Sequence, residues 1–280
     1  MEIFSYGFMQ RAFAAVFMVG ILCSTLSFFV VLNGLSFMGA GISHAILGGM
    51  AIGLLIGTNP LYMGALFAVL IALLIGYISR HGKMKEDTVI GIFFSTGMAL
   101  GIMLISLREN YYPELFSLLF GNVLAVTGAD LIFLAAVMTG ILLFVSFFFK
   151  ELLAVSFDEE LARANGLPTT ALYMGLLASL ALTVVVTVTV VGIVLSSALL
   201  VIPAATGYRL SSNYRTMLPL SIAVGLASGL AGLVFSYYYD IPSGASIVLF
   251  AALIFFGSFL PALAAKAADT WRKFFPGSPF

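Results

Sequence analysis

The segment TALYMGLLASLALTVVVTVTVVGIVLSSALLVIPAATGY, residues 170–208, contains 39 consecutive residues without a charged side chain. As one straight α-helix it would measure about 58 Å, since each residue adds ~1.5 Å, whereas the hydrocarbon core of a bilayer is about 30 Å thick. The segment therefore has to fold back on itself. Gly192 is the natural position for the turn, so we predict two membrane crossings here.

The composition of the whole chain agrees with a membrane protein. Of its 280 residues, 62% are hydrophobic and 9% are charged, and the mean hydropathy is +1.16. A soluble domain has about 45–50% apolar and about 25% charged residues. The 12 Lys and Arg residues balance the 12 Asp and Glu residues, so no overall field attracts polyanions. We exclude a soluble globular enzyme, a nucleic-acid binder and a disordered linker, and expect the lipid bilayer as the surrounding partner.

Apolar runs of about 20 residues recur along the chain, which indicates helices, because the strands of a membrane β-barrel alternate apolar and polar residues. We predict an all-α, polytopic membrane protein with nine transmembrane helices in one domain, residues 1–280. The lone Cys23 excludes a disulfide framework and a cage of thiolate ligands. The predicted spans are 13–32, 35–57, 61–79, 88–107, 131–149, 170–190, 192–208, 216–237 and 244–264.

The distribution of Lys and Arg predicts the orientation of these spans. With the N-terminus outside, ten of the twelve basic residues fall in inner segments and two in outer ones. Cytoplasmic loops are enriched in Lys and Arg. We therefore expect the N-terminus outside and the C-terminus in the cytoplasm.

A faint internal repeat relates the two halves of the chain. Gly20–Ser24 (GILCS) is matched by Gly175–Ser179 (GLLAS), and Gly39–Leu47 (GAGISHAIL) by Gly192–Leu200 (GIVLSSALL), at offsets of 155 and 153 residues. Helix 1 would enter the membrane from outside and helix 6 from inside. The pattern predicts two inverted four-helix units, helices 1–4 and 6–9, joined by helix 5. Inverted repeats of this kind are typical of transporters.

The predicted spans contain no charged residue, and the P-loop and HExxH patterns are absent from the sequence. Ion-driven carriers usually keep an intramembrane acid or lysine, so energy for active transport would have to come from another subunit. The inner loop at about 150–169 contains a helix start at Asp158 and a stop at Gly166 and Pro168. This loop helix is either the surface through which energy arrives or an ordinary capped loop helix.

His44 is the one histidine within a predicted span. It is either a hydrogen-bonded packing residue or part of a polar path, and one imidazole does not make a metal site. Pro203 must interrupt the seventh span near its inner end. Small polar residues have the same two interpretations, helix-to-helix hydrogen bonding or path lining: Ser95, Thr96, Ser196, Ser197 and Thr206.

Several motifs occur in the order found in one known family. The chain resembles the membrane permease subunits of zinc, manganese and iron ABC importers, and more remotely those for vitamin B12 and siderophores. The matching motifs are Gly39-x-x-x-Ser43-His44-Ala45, Glu86-Asp87-Thr88-x-x-Gly91, Leu119-Phe120-Gly121-Asn122, Phe157-Asp158-x-Glu160-Leu161-Ala162-x-Ala164-x-Gly166, Ile202-Pro203-Ala204-Ala205-Thr206 and Asp240-x-Pro242-x-Gly244.

This resemblance implies partners and a cargo. Two copies would form a homodimer around a central path, and ATP would be bound only by a separate cytoplasmic subunit. That subunit would dock on the inner loop through Asp158, Glu160, Ala162 and Gly166. An extracytoplasmic solute-binding protein would deliver a divalent metal ion, with no tightly bound cofactor, at a bacterial or archaeal plasma membrane. Path residues would come from Ser43, His44, Ser95, Thr96, Ser196 and Ser197.

The sequence departs from the family at one position. The family has an Asp four residues before its helix-2 histidine, and this chain has Ala40. The ion is then held more weakly, or finds ligands elsewhere, or the cargo is a metal chelate or cofactor. A membrane interaction subunit without a transport role is the alternative from another class.

Overall fold

The structure is a computed structural model that describes residues 6–82, 84–107 and 123–260. These residues form twelve α-helices and one 3₁₀ turn, Val123–Ala125, and no strand occurs among them. The helices are α1 (Gly7–Leu32), α2 (Met38–Ile56), α3 (Pro60–His81), α4 (Glu86–Ser106), α5 (Gly128–Phe147), α6 (Phe149–Phe157), α7 (Glu159–Ala164), α8 (Thr169–Val191), α9 (Ile193–Leu199), α10 (Ile202–Leu210), α11 (Tyr214–Tyr239) and α12 (Ser243–Gly257).

The predicted all-helical membrane architecture is confirmed. Within the described ranges, eight segments are long and apolar enough to cross a bilayer, with α9 and α10 counted as one, and α12 is a shorter apolar helix. These nine correspond in order to the nine predicted spans. The ends of the chain, residues 1–5 and 261–280, lie outside the described residues.

Several helices extend beyond the predicted spans and carry charges at their ends. α3 continues through Arg80 to His81, and α4 already begins at Glu86. α1 includes Arg11, whose Nε donates to the carbonyl oxygen of Val126 at 3.0 Å. The hydrocarbon-facing middle stays uncharged, because these charged groups lie within one or two turns of a helix end and can reach the interface.

The predicted turn at Gly192 is confirmed. α8 ends at Val191 and α9 begins at Ile193. Gly192 adopts φ 88° and ψ 166°, a conformation that is open essentially to glycine alone. The uncharged 39-residue segment therefore makes two passes, as its length demands.

The predicted interruption at Pro203 is also confirmed, and α1 supplies hydrogen-bond partners to the backbone there. α9 ends at Leu199 and α10 begins at Ile202. The Ser27 hydroxyl accepts the N–H of Ala204 at 3.1 Å and donates to the carbonyl oxygen of Val201 at 3.4 Å. Broken helices are tolerated at membrane depth where the protein supplies such partners.

The inner loop contains more helix than the sequence indicated. The predicted helix starting at Asp158 is present as α7, but a further helix, α6, precedes it. The chain bends at Phe148 between α5 and α6. The next ring, Phe149, packs on Phe28 and Phe29 of α1 at 6.2 and 5.8 Å between centroids, so contacts with a distant helix favour this extra turn.

The two units pack as inverted repeats predict. α2 contacts α3 and α4, and in the second unit α10 contacts α11 and α12. The first helix of each unit packs against the other unit: α1 packs on α11, and α8 packs on α3. Glycines mark both crossings, with Gly225 against Gly20 and Gly76 against Leu177. The exchange explains why the matched motifs GILCS and GLLAS both lie at such crossings.

Replacing Gly232 by Ala should lower the free energy of unfolding by about 1–3 kcal/mol. Its Cβ would stand 2.5 Å from the Cα atom of Ile247 and 2.7 Å from the Ile247 nitrogen, and backbone atoms cannot rotate away. Gly140→Ala on α5 is the control, because no described atom lies within 4 Å of its Cβ position. Thermal unfolding in one detergent measures both, and equal melting temperatures would contradict the close α11–α12 contact.

Candidate functional site

Small residues bring α2 into backbone contact with α4. A Cβ atom on Gly97 would lie 2.8 Å from the Cα atom of Ala45, and one on Gly48 would lie 2.9 Å from the Gly97 carbonyl oxygen. Membrane helices pack closely where such residues face each other. Most of the α2 surface is therefore covered.

One face of α2 stays partly open. Between Met38 and Met50, the half-buried residues are Ala40, His44 and Leu47, and the others are buried. A spacing of four and three residues places all three on one side of a helix. We call this the open face of α2.

His44 lies at the centre of this open face. Its ring meets that of Phe94 on α4 edge to face, with centroids 4.7 Å apart. Its Nδ1 atom is buried and has no hydrogen-bond partner among the described residues. Because the protein encloses this atom, only the remaining, half-buried part of the imidazole is available at the open face of α2.

The open face of α2 adjoins a similar face of α9. Val194 is exposed, and Ser197 and Ala198 are half-buried. A Cβ atom on Gly39 would lie 3.7 Å from the Cα atom of Ser197. His44 and Ser197, which correspond in the internal repeat, therefore belong to adjoining open faces on two helices.

The other path candidates differ in burial. Ser43 and Ser196 are fully buried inside the protomer, and the Ser196 hydroxyl hydrogen-bonds Thr187 at 2.5 Å. Ser95 and Thr96 on α4 are exposed. The sequence interpretation did not name Phe94 or Thr187, because each meets its partner, His44 or Ser196, only through helix packing across 50 or nine positions of chain.

The described residues hold no group of three or more His, Cys, Asp or Glu side chains that could bind a metal. Cys23 is buried. One copy of this part of the chain therefore offers no cluster of these side chains to an ion. Ligands for an ion at His44 would have to come from hydroxyls, backbone oxygens, water or a second copy.

The inner loop, at about 150–169, contains a short helix, α7, that is capped at both ends. The Asp158 carboxylate accepts the N–H of Leu161 at 2.9 Å, and the N–H groups of Gly166 and Leu167 donate to the carbonyls of Arg163 and Ala162. Gly166 has φ 80°, so this end is a Schellman motif that favours glycine.

Exposed apolar side chains accompany this helix. Phe157 is 64% exposed and Leu161 is 60% exposed, and Asp158, Glu160 and Gly166 are exposed beside them. Ala162 is buried and anchors the helix inward. Large exposed apolar residues rimmed by polar ones are typical of a surface that contacts a protein or a membrane. The resemblance implies a docking role for Asp158, Glu160, Ala162 and Gly166, and the exposure of Phe157 and Leu161 adds two residues of the same motif to this surface.

Known proteins share both the sequence and the fold. The model of the ABC 3 transport family matches residues 5–262. The manganese transport system membrane protein MntC of Halalkalibacterium halodurans is 40% identical over 254 residues, which cover 91% of this chain and 87% of that protein.

Two solved structures extend the comparison. One is PsaBC from Streptococcus pneumoniae in complex with Fab, with 38% identity, a TM-score of 0.80, and coverage of 91% of this chain and 92% of that chain. The other is a metal-chelate type ABC transporter in an inward-facing conformation, with 17% identity, a TM-score of 0.68, and coverage of 89% and 85%, which shows the fold alone. The chain therefore belongs to the ABC 3 transport family, whose members are multi-pass membrane permease subunits and not enzymes.

Proposed function

We propose that this permease carries a divalent transition-metal ion, zinc, manganese or iron, into the cytoplasm, with energy from a separate ATPase subunit. The observation that supports this most directly is the half-buried imidazole of His44 on the open face of α2. A neutral imidazole suits zinc and iron, and it binds manganese more weakly. The manganese permease named among the relatives supports the same class of cargo.

A second copy of the chain would complete the path. The open faces of α2 and α9 expose one imidazole and one hydroxyl per copy, from His44 and Ser197. Two copies facing each other would offer two of each to a passing ion. Such a set binds loosely, which suits conduction, because an ion held too tightly does not leave.

Ala40 favours a second candidate, transport of a metal chelate or cofactor. It stands one turn from His44 on the same open face, where a carboxylate would be the natural partner of a hard divalent ion. A chelated metal brings its own ligands and needs no such carboxylate. The shared fold with a metal-chelate type transporter is compatible with this cargo.

Energy would enter through the inner loop. We propose that the ATPase subunit binds α7 over Phe157, Leu161 and Glu160, and that an extracytoplasmic binding protein delivers the cargo at the other side. The N-terminus would lie outside and the C-terminus in the cytoplasm of a prokaryotic plasma membrane, because basic residues prevail in the inner segments. ATP binding would then rock the two inverted units about the path.

Gly166→Val should abolish metal-stimulated ATP hydrolysis in the assembled complex. Valine is strained at φ 80° and would break the end of the docking helix. Gly57→Val is the matched control, because Gly57 has φ 76° and lies beyond α2 at the opposite face. Co-purification with the ATPase and hydrolysis rates decide: equal behaviour of the two variants would count against the inner loop as the docking site.

Changes on the open face of α2 should alter transport without affecting assembly. His44→Ala should slow uptake by about tenfold, the loss expected for one ligand contact. Ala40→Asp should shift preference towards manganese, because it adds a carboxylate one turn from the imidazole. Competitive uptake of zinc, manganese, iron and their chelates by proteoliposomes measures both. Wild-type uptake rates in His44→Ala would contradict a path role for His44 and leave it a packing residue.

Single cysteines should distinguish path residues from interior ones. The native Cys23 is buried and should stay silent towards a water-soluble thiol reagent. We expect His44→Cys and Ser197→Cys to react in membranes, and their chain neighbours Ser43→Cys and Ser196→Cys to be protected. Equal labelling of neighbours, or protection of all four, would exclude a water-filled path along the open faces.

A further inference from the structure

A charged contact joins the inner end of α3 to the docking helix α7, 79 residues further along the chain. The two terminal nitrogens of Arg80 each lie 2.9 Å from a different oxygen of the Glu159 carboxylate. The Arg80 side chain is 16% exposed and that of Glu159 is 34% exposed. Two parallel hydrogen bonds in a half-buried setting fix the orientation of the guanidinium against the carboxylate as well as the distance between them.

Arg80 also links two further helices. Its guanidinium lies over the ring of Tyr173 on α8, 4.0 Å from the centroid, and the Tyr173 hydroxyl donates to the carboxylate of Glu86 at the start of α4. Four helices thus meet through four side chains. We call Arg80, Glu159, Tyr173 and Glu86 the inner clasp.

Glu159 has further partners on its own side of the contact. Arg163, one turn later in α7, lies 2.7 Å from its carboxylate, and the Thr169 hydroxyl donates to it at 3.3 Å. Removing Arg80 would therefore leave Glu159 still neutralised by Arg163. The loss would be the connection between helices and not an uncompensated buried charge.

From Arg80 a stiff route leads to the open face. α3 packs on α2, where a Cβ atom on Gly53 would stand 3.0 Å from the Cα atom of Pro60 and one on Gly49 would stand 2.9 Å from the Met63 carbonyl oxygen. Helices in backbone contact move together, because close-packed interiors transmit displacement. A push on α7 therefore reaches α2 without passing through α8.

We propose that Arg80 is a positioning residue that fixes the docking helix to α3, so that movement of the ATPase drives the α2–α3–α4 group as well as α8. This inference rests on the proposed function. It assigns the inner clasp a role in coupling ATP hydrolysis to transport. This role is separate from binding of the ATPase and from binding of the cargo.

The test measures metal uptake per ATP hydrolysed by the reconstituted complex. Arg80→Ala and Glu159→Gln should each lower this ratio by about tenfold, within the usual range of coupling between linked sites, while ATPase co-purification persists. The double variant should lose no more than either single one, because both remove the same contact. His81→Ala is the matched control, since His81 is the next residue of α3 and contacts Tyr77 of its own helix.

A wild-type ratio in Arg80→Ala, multiplied losses in the double variant, loss of ATPase binding in Arg80→Ala, or an equal loss in His81→Ala would overturn the proposal. Trypsin cleavage after Arg163 in the detergent-purified permease is a readout that needs no ATPase. Arg80→Ala should speed cleavage severalfold, and Arg80→Lys should do so less. If wild-type complex shows no ATP-driven uptake, the proposed function fails, whereas unchanged cleavage in Arg80→Ala refutes the clasp itself.

Discussion

In the hydrocarbon of a bilayer, every backbone N–H and carbonyl has to find its partner within the protein, and this structure depends on that requirement. The described residues satisfy it mainly with helices. The seventh span has an additional requirement, because its helix breaks before Pro203. At this break the Ser27 hydroxyl on α1 accepts a hydrogen bond from the N–H of Ala204 and donates one to the carbonyl oxygen of Val201. The same helix crosses α11 at a glycine contact. α1 therefore both supplies the hydrogen bonds at the break and joins the two units.

Close packing of small residues has a functional consequence on α2. Contacts of Gly48 and Gly97 bury the α2–α4 interface and leave a single strip of α2 partly open. His44 lies on that strip, with Ala40 one turn away. The candidate site is therefore the part of α2 that the packed helices leave uncovered. Few side chains that could bind an ion lie on it, because most of α2 is covered.

Much of this architecture could be predicted from the sequence, because the decisive signals are local. Hydropathy predicted the spans, the length of residues 170–208 required the turn at Gly192, and Asp158 with Gly166 predicted the start and the end of the loop helix α7. Contacts between distant positions could not be predicted. The pairing of Arg80 with Glu159, the repair by Ser27 and the ring of Phe94 on His44 depend on tertiary packing. For the site, the sequence named His44 and five hydroxyl residues. Residue type alone does not separate the half-buried Ser197 from Ser43 and Ser196, which the structure buries.

The uncharged interior also determines how voltage acts on this protein. In the described helices, every Lys, Arg, Asp and Glu lies near a helix end, so the proposed rocking motion would move almost no fixed charge of these helices through the membrane field. The divalent cation proposed as cargo would move through that field, and the work would be about 4.6 kcal/mol per 100 mV. The electrical gradient would then act on the cargo and hardly at all on these helices without it. An unloaded cycle would be electrically silent, and current would accompany only the passage of a charged cargo.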